Sequence, residues 1–313
     1  MSETVVVALG GNAILTSKSR GTVEEQFEKI SRACKLLVKI VIAGYRVAIT
    51  HGNGPQVGDI LLRNEIAKDI LPQMPLDICG AESQGMIGYM LQQALHNELR
   101  ETGLTDKHVI TVLTQTLTSI EDQAFRNPSK PIGPSYSKAQ AGCLKNSLGW
   151  VLISDAGKGY RRVVSSPKPL DIIEAPSIKR LVDLGIIVIA AGGGGAPVIK
   201  DNNNIRGVEA VIDKDRSAAM LAKMIRAEIL LILTDVDCVS LNYGNIDQKN
   251  LASLSIEEAK KYLKEGQFPE GNMGPKIESA IDFIEGGGRK TIIASIMNGF
   301  EALKGRSGTV IMK

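Results

Sequence analysis

The amino-acid sequence predicts an α/β protein with an open, mostly parallel central sheet and helices on both faces. Short apolar runs, rich in β-branched residues, alternate with segments of helical periodicity, a pattern typical of parallel sheets. Glycine clusters follow several of these runs, at the positions where loops of such sheets bind ligands. The predicted strands are Thr4–Leu9, Arg46–Thr50, Val109–Leu113, Ile186–Ala191, Ile229–Leu233, Thr291–Ala294 and Thr309–Met312.

The first strand and the helix after it form the clearest unit. Thr4–Leu9 has the sequence TVVVAL, which is typical of a strand buried on both faces, and two glycines follow it. Thr22 and Glu25 have the spacing of a capping box, and apolar residues then recur every three or four positions. Gly44 supplies the stop signal, so a helix is predicted between Thr22 and Gly44.

The second unit repeats this plan. Strand Arg46–Thr50 leads into the loop His51–Gly54, and Pro55 suits the first residue of the next helix. Further helices are predicted at Gly85–Leu99, at Ser137–Leu148 and from about Arg216 onward.

The length of 313 residues suits two lobes that share one sheet. We expect one lobe over residues 1–226 and a second over residues 227–313. Between about residues 115 and 169 the alternation of strands and helices gives way to short strands with Pro and Gly turns. This stretch is predicted to be an inserted subdomain that projects from the sheet.

Composition restricts the possible classes of function. The 37 Lys and Arg against 34 Asp and Glu leave a net charge of +3, too small to favour nucleic-acid or membrane binding. The four cysteines are far apart, which indicates neither a zinc site nor a disulfide framework. The N-terminus has no signal-peptide pattern, and no apolar run reaches the roughly 18 residues of a membrane span. A cytoplasmic protein is expected.

Three glycine loops are predicted to meet at the ligand edge of the sheet. They are Gly10-Gly11-Asn12, Gly52-Asn53-Gly54 and Gly192–Gly195, each directly after a predicted strand. Glycine lets backbone N–H groups approach an anion closely, and helix N-termini favour negative charge. The same glycines would also suit plain tight turns. Neither the P-loop nor the Rossmann fingerprint is present, so those nucleotide-binding classes are not expected.

Eight blocks of sequence resemble the carbamate kinase family, a branch of the amino acid kinases, in the order of that family and over essentially the full length. The KPIGP and VEAVIDKD segments distinguish this resemblance from amino acid kinases that act on acetylglutamate, aspartate or uridylate. The blocks are ALGGNAI (Ala8–Ile14), HGNGPQVG (His51–Gly58), SQGMIGY (Ser83–Tyr89), NPSKPIGP (Asn127–Pro134), AGGGGAPV (Ala191–Val198), GVEAVIDKD (Gly207–Asp215), LTDVD (Leu233–Asp237) and NMGPK (Asn272–Lys276).

The resemblance implies phosphoryl transfer between ATP and carbamate, with Mg²⁺ carried by ATP or ADP, in a homodimer with a place in arginine metabolism. It assigns Lys214 to the moving phosphoryl group, Asp215 to organising the site, and Lys130 to a lid that projects over it. Carbamate is already an anion, so no general base is expected. The residues implied to bind the substrate and its phosphate are Gly10, Gly11, Asn12, Gly52, Asn53 and Gly54.

For the nucleotide, the resemblance implies a site in the second lobe. Lys276 is expected to contact the ATP phosphates. The other implied residues are Gly193, Gly194, Asp235, Val236, Tyr243, Met273 and Gly274. No protein metal site is expected.

Several of these residues have a simpler interpretation when they are considered alone. Lys130 would be a surface-loop lysine, and Lys214, Asp215 and Lys276 would mark solvated helix starts. Asp237 suits a turn as well as a ribose contact. Tyr243 suits the core as well as an adenine contact. Ser83 and Gln84 suit a helix cap as well as the carbamate pocket, and His51 is expected to anchor its loop.

Three positions depart from the family pattern, namely Ser135, Ser165 and Ala196, and they concern lid packing rather than the reaction type. Two other functions stay open from the sequence. One is an amino acid kinase with a larger acid acceptor, which would need a more spacious pocket. The other is a non-catalytic nucleotide-sensing module, which would be marked by loss of the site lysines.

Overall fold

The computed structural model describes residues 2–11, 14, 21–154, 159–269 and 273–313. The strands are β1 (Thr4–Leu9), β2 (Arg46–His51), β3 (Val109–Thr111), β4 (Gln115–Leu117), β5 (Lys130–Tyr136), β6 (Leu152–Ser154), β7 (Tyr160–Val164), β8 (Asp171–Ile172), β9 (Ile187–Ile189), β10 (Ala196–Asp201), β11 (Asn204–Gly207), β12 (Ile229–Thr234), β13 (Val239–Leu241), β14 (Lys249–Leu251), β15 (Ser253–Ser255), β16 (Lys290–Ser295) and β17 (Thr309–Met312). The helices are α1 (Val23–Ile42), α2 (Gly54–Ala67), α3 (Leu76–Glu101), α4 (Lys138–Leu148), α5 (Ala175–Asp183), α6 (Lys214–Met224), α7 (Ile256–Lys264), α8 (Met273–Glu285) and α9 (Gly299–Leu303).

The central sheet has eight strands in the order β15-β17-β16-β12-β1-β2-β9-β3. Neighbouring strands are parallel except β16 and β17, which are antiparallel. Strand β1 lies between β12 and β2, and all six of its residues are buried. The predicted α/β class with a mostly parallel sheet is confirmed.

Two hydrophobic clusters cover the two faces of this sheet. On β1, Val5, Val7 and Leu9 contribute to one cluster, whereas Val6 and Ala8 contribute to the other. This alternation follows from the two-residue period of a strand. Helices α1 and α3 pack on the first face, and α5, α6 and α8 pack on the second. A strand buried on both faces explains the unbroken apolar sequence of β1.

Smaller sheets occupy the middle of the chain. Strands β5, β7 and β6 form a three-stranded antiparallel sheet with α4 beside it, which lies in the stretch predicted to project. Strands β4 and β8, at the two ends of that stretch, instead join β10 and β11 in a separate sheet. The eight-stranded sheet draws strands from both predicted lobes, and the division into lobes stays a prediction. In the described part of the chain, no helix combines the length and hydropathy of a membrane span.

Helix boundaries show where sequence patterns succeed and where they fail. Helix α1 begins after Thr22, whose hydroxyl accepts a hydrogen bond from the backbone N–H of Glu25 at 3.4 Å. The carboxylate of Glu25 accepts from the N–H of Gly21, one residue earlier than in a regular capping box. Gly44 follows the helix with a φ of +90°, which explains why glycine stands there.

Three helix starts differ from the predicted ones. Helix α3 begins at Leu76 rather than Gly85. The sequence pattern missed this start because Gly80, within the first turns of the helix, interrupts the helical periodicity. Helix α6 begins at Lys214 rather than Arg216, because Asp213 caps it. Helix α2 begins at Gly54, with the proline in second place.

Glycines in α3 provide a test of this packing. A Cβ atom on Gly88 would lie 2.3 Å from Cγ2 of Thr111, whereas a Cβ atom on Gly85 would meet nothing within 4 Å. We expect Gly88→Ala to lower the free energy of unfolding by about 1–3 kcal/mol through overpacking. Gly85→Ala, one turn away, should leave it unchanged or raise it by up to about 1 kcal/mol. Urea unfolding would check both, and equal effects would contradict the packing described.

Candidate active site

Two of the glycine loops meet the N-terminal part of α6 at the carboxyl edge of the sheet. A Cβ atom on Gly52 would lie 3.1 Å from the backbone nitrogen of Gly11 and 3.4 Å from Cδ of Lys214. The N–H groups of Gly10 and Gly52 donate to Leu233 and Leu9 carbonyls, so these two groups extend the sheet. The loops and Lys214 can therefore approach this closely only because Gly52 has no side chain.

The third glycine loop packs against the second. A Cβ atom on Gly192 would lie 2.3 Å from Nε2 of His51, and one on Gly193 would lie 2.1 Å from Nδ2 of Asn53. The amide of Asn53 donates to Oγ of Ser83 at 2.7 Å. The predicted convergence of the three loops is thus observed in the described residues.

Lysines and aspartates form a charged cluster beside these loops. The ammonium of Lys214 lies 2.5 Å from one oxygen of Asp215, and that of Lys276 lies 3.3 Å from the other. Lys130 forms an ion pair with Oδ2 of Asp213. Three lysines from β5, α6 and α8 therefore meet two carboxylates from the N-terminal end of α6.

The lysine side chains of this cluster are unusually buried. The side chains of Lys130, Lys214 and Lys276 are 30%, 14% and 9% exposed, and lysine is rarely buried without a partner. With all five groups ionised, three cations against two carboxylates leave one positive charge. The cluster is therefore suited to an anionic ligand.

The electrostatics of the cluster follow from burial and from the neighbouring charges. Burial alone would raise the pKa of Asp213, but the positive charges of Lys130 and Lys214 outweigh it and hold that pKa well below its usual value. Burial lowers the pKa of Lys214, and Lys276 adds to the shift while Asp215 opposes it. Asp213 is therefore a carboxylate at neutral pH.

Comparisons with known proteins identify the family. The sequence profile of the amino acid kinase family matches residues 3–295. Carbamate kinase of Pyrococcus horikoshii is 50% identical over 313 residues, which cover 99% of each chain. This chain belongs to the carbamate kinase family. The family also includes the carbamate kinase of Clostridium perfringens, which is 46% identical over 313 residues and 99% of each chain.

Solved structures of carbamate kinases share the fold. The carbamate kinase of Giardia lamblia bound to citric acid has a TM-score of 0.95 at 43% identity and covers 100% of this chain and 99% of that one. The same protein bound to AMP-PNP has a TM-score of 0.92 with the same identity and coverage. The resemblance drawn from the eight sequence blocks is confirmed.

Five of the residues expected to bind the nucleotide line two neighbouring cavities. A cavity of about 90 Å³ is lined by Asp235, Val236, Tyr243 and Met273. A larger cavity of about 450 Å³ is lined by Gly274 and by Lys130 and Asp213 of the charged cluster. Phe268 lines both cavities. The arrangement suits a nucleotide base in the smaller cavity and phosphates toward the lysines.

Other expected residues lie elsewhere. Gly193 and Gly194 pack on Asn53 and on the carbonyl of Ile212, beside the loops assigned to the substrate. Their nucleotide role stays a prediction without support from these contacts. Asp237 accepts a hydrogen bond from the Asn298 side chain at 2.9 Å, as a turn residue would.

Asn12 lies outside the residues that the structure describes. Ser83 and Gln84 lie within α3, so the helix-cap interpretation was wrong. Gln84 instead exchanges two hydrogen bonds with the backbone of Thr114, at 3.1 and 3.0 Å.

Sequence reasoning missed Asp213 and Phe268. Asp213 belongs to the VIDKD block, and an Asp directly before a helical segment is a signal for an N-cap. Phe268 stands in a loop without a motif, and no sequence signal indicated that it lines both cavities.

His51 anchors its loop. Its ring is buried, and Nδ1 lies 3.0 Å from the carbonyl oxygen of Gly52, to which it donates in the neutral tautomer that carries the proton on Nδ1. Burial lowers the pKa of His51 to about 4, although the Gly52 carbonyl opposes the shift. The ring is therefore neutral at pH 7.

The lowered pKa of His51 predicts a pH effect on stability. An unfolded histidine binds a proton near pH 6.5, whereas folded His51 does so only near pH 4. Between these values the unfolded state binds more protons, so stability falls as pH falls. We expect His51 to account for a loss of about 2 kcal/mol between pH 7 and pH 5.

Denaturant unfolding at both pH values would measure this loss. The variant His51→Asn, whose amide can still reach the Gly52 carbonyl, should lack that part of the slope. A His51 ring that titrates near pH 6.5 in NMR spectra of the folded protein would contradict the expectation.

Proposed function

We propose that this chain catalyses reversible phosphoryl transfer between ATP and carbamate, giving ADP and carbamoyl phosphate. The observation that carries the proposal is the convergence of Lys130, Lys214 and Lys276 on two carboxylates beside three glycine loops. Relatives named carbamate kinase, up to 50% identical over the full length, support the same reaction. The AMP-PNP complex of the Giardia lamblia relative supports nucleotide binding.

Phosphoryl transfer requires placement of the reactants and stabilisation of charge on the moving group. Lys214 and Lys130 supply cations near the glycine loops, and Lys276 supplies one from α8, on the nucleotide side. Asp215 holds the Lys214 and Lys276 ammoniums together through its two oxygens. Carbamate attacks as an anion, so the mechanism does not need a side chain to remove a proton.

The nucleotide is proposed to arrive with Mg²⁺. In the described residues there is no group of three or more His, Cys, Asp or Glu side chains that could hold a metal ion. Both oxygens of Asp213 and of Asp215 already accept from lysines or backbone N–H groups. The phosphates of ATP or ADP therefore suit Mg²⁺ better than these carboxylates, and the ion would offset phosphate charge during transfer.

The proposal extends to the setting of the reaction. We infer that this chain is a cytoplasmic enzyme of arginine metabolism that forms ATP from carbamoyl phosphate. We also infer that it forms a homodimer. The dimer is supported by the outer face of α3, where Tyr89 and Gln93 line an open cavity with Val109 of the edge strand β3. An exposed tyrosine beside a sheet edge suits contact with a second copy.

The pure protein should form ATP from ADP, Mg²⁺ and carbamoyl phosphate, because the lysines can stabilise the phosphoryl group as it moves to ADP and carbamate can leave as an anion without a proton. Luciferase luminescence would report ATP, with carbamoyl phosphate and no protein as the hydrolysis control. Turnover of acetylglutamate with ATP, together with no luminescence above the control, would sink the proposal in favour of a larger acid acceptor. Nucleotide binding without turnover of either substrate would favour a sensing module.

The variant Lys214→Ala should lower kcat by about 10²–10³, the scale for loss of one preorganised charge contact. Lys223→Ala is the matched control, since Lys223 lies near the end of the same helix and pairs with Asp282 at 2.6 Å. Its kcat should stay within about twofold of the parent. Thermal unfolding of both variants would exclude a folding defect, and an active Lys214→Ala would remove this lysine from the mechanism.

A further inference from the structure

Asp213 connects two parts of the chain that must meet for the proposed reaction. Its Oδ1 accepts hydrogen bonds from the N–H groups of Asp215 at 2.9 Å and Arg216 at 3.3 Å, so it caps α6. Its Oδ2 forms the ion pair with Lys130, the first residue of β5. One carboxylate therefore joins the helix that carries Lys214 to the sheet that carries Lys130.

The position of Asp213 is tightly constrained. The residue is 8% exposed, and the two N–H groups that hold Oδ1 belong to the first turn of α6. The same turn contains Lys214 and Asp215. Oδ2 therefore has a fixed place relative to Lys214, since both are attached to one helical turn.

Lys130 belongs to a part of the chain with few other links to α6. Its strand pairs with β7 in the small antiparallel sheet, and it packs on α2 where Gly133 meets Gly58. A flexible four-carbon lysine side chain samples many rotamers unless a partner holds it. Asp213 is a partner that holds it, through the ion pair with the Lys130 ammonium.

We propose that Asp213 is the positioning residue that holds Lys130 over the acceptor site, an inference that rests on the proposed function. An ammonium has three N–H donors. One donates to Asp213, and two remain for the oxygens of carbamate or of the moving phosphoryl group. Asp213 thereby sets the position of the lid lysine relative to Lys214 without contacting the reacting atoms itself.

Two plainer roles for Asp213 make different predictions. A residue that only caps α6 would affect stability and would act equally with or without Lys130. A residue that binds Mg²⁺ would change the Mg²⁺ concentration needed for activity. Positioning of Lys130 instead requires that the effect of Asp213 disappear when Lys130 is replaced.

A double-mutant cycle separates these roles. Asp213→Asn keeps an oxygen that can cap the helix, because Asn is as good an N-cap as Asp, and it removes the negative charge. We expect it to lower kcat/KM for carbamoyl phosphate by about ten- to hundredfold, the scale of a hydrogen bond to a charged group. The KM for MgADP should stay within about twofold of the parent.

In a Lys130→Met background, adding Asp213→Asn should change kcat/KM by less than about twofold. Asp122→Asn is the matched control, because Asp122 accepts two backbone N–H groups, from Ala124 and Lys168, at 2.9 Å each. It should leave kcat/KM unchanged in both backgrounds.

Equal losses from Asp213→Asn in both backgrounds would overturn the inference, as would recovery of the parent activity at raised Mg²⁺. A parent protein that makes no ATP from carbamoyl phosphate would instead refute the proposed function. The two failures are therefore distinguishable. Circular dichroism and thermal unfolding of each variant would confirm that the comparisons are made among folded proteins.

Discussion

The sharing of two carboxylates by three lysines is the interaction on which the site depends. Lysine ammoniums are costly to bury unless each has a partner, and like charges close together repel. Asp215 places one oxygen toward Lys214 and the other toward Lys276, and Asp213 forms an ion pair with Lys130. Without these carboxylates, three cations could not be held together in a largely buried site.

The carboxylates are in turn held by backbone geometry. Helix α6 begins at the carboxyl edge of the sheet, where Lys214 lies beside Gly52 and the carbonyl of Ile212, just before the helix, lies against Gly194. Ser217 on the same helix donates to the carbonyl of Gly194 at 2.7 Å, and Thr116 donates to it at the same distance. The helix start, the glycine turn and the neighbouring sheet are thereby fixed as one unit.

The glycine loops have a steric role beside the one expected of them. The N–H groups of Gly10 and Gly52 extend strand pairing rather than pointing at a ligand. What these positions require is the absence of a side chain. A Cβ atom on Gly10 would lie 2.9 Å from the carbonyl oxygen of Leu233, and one on Gly52 would lie 3.1 Å from the backbone nitrogen of Gly11 and 3.4 Å from Cδ of Lys214. Anion binding in this site is therefore expected to depend on the lysines as much as on backbone groups.

The sequence by itself determined the parallel sheet, the cap of α1 and the family. These follow from local features: the apolar run of β1, the spacing of Thr22 and Glu25, and ordered blocks such as KPIGP and VEAVIDKD. It also indicated the lysines, because each stands in one of those blocks.

Only the tertiary structure decided which groups meet. Lys130 and Asp213 are 83 residues apart, and Lys276 and Asp215 are 61 apart, so no local pattern links them. The role of Asp213 as both cap and lysine partner, and the packing of Gly193 on Asn53, depend on contacts between loops of different strands. Such contacts are set by the fold as a whole, which is why periodicity and spacing along the chain could not predict them.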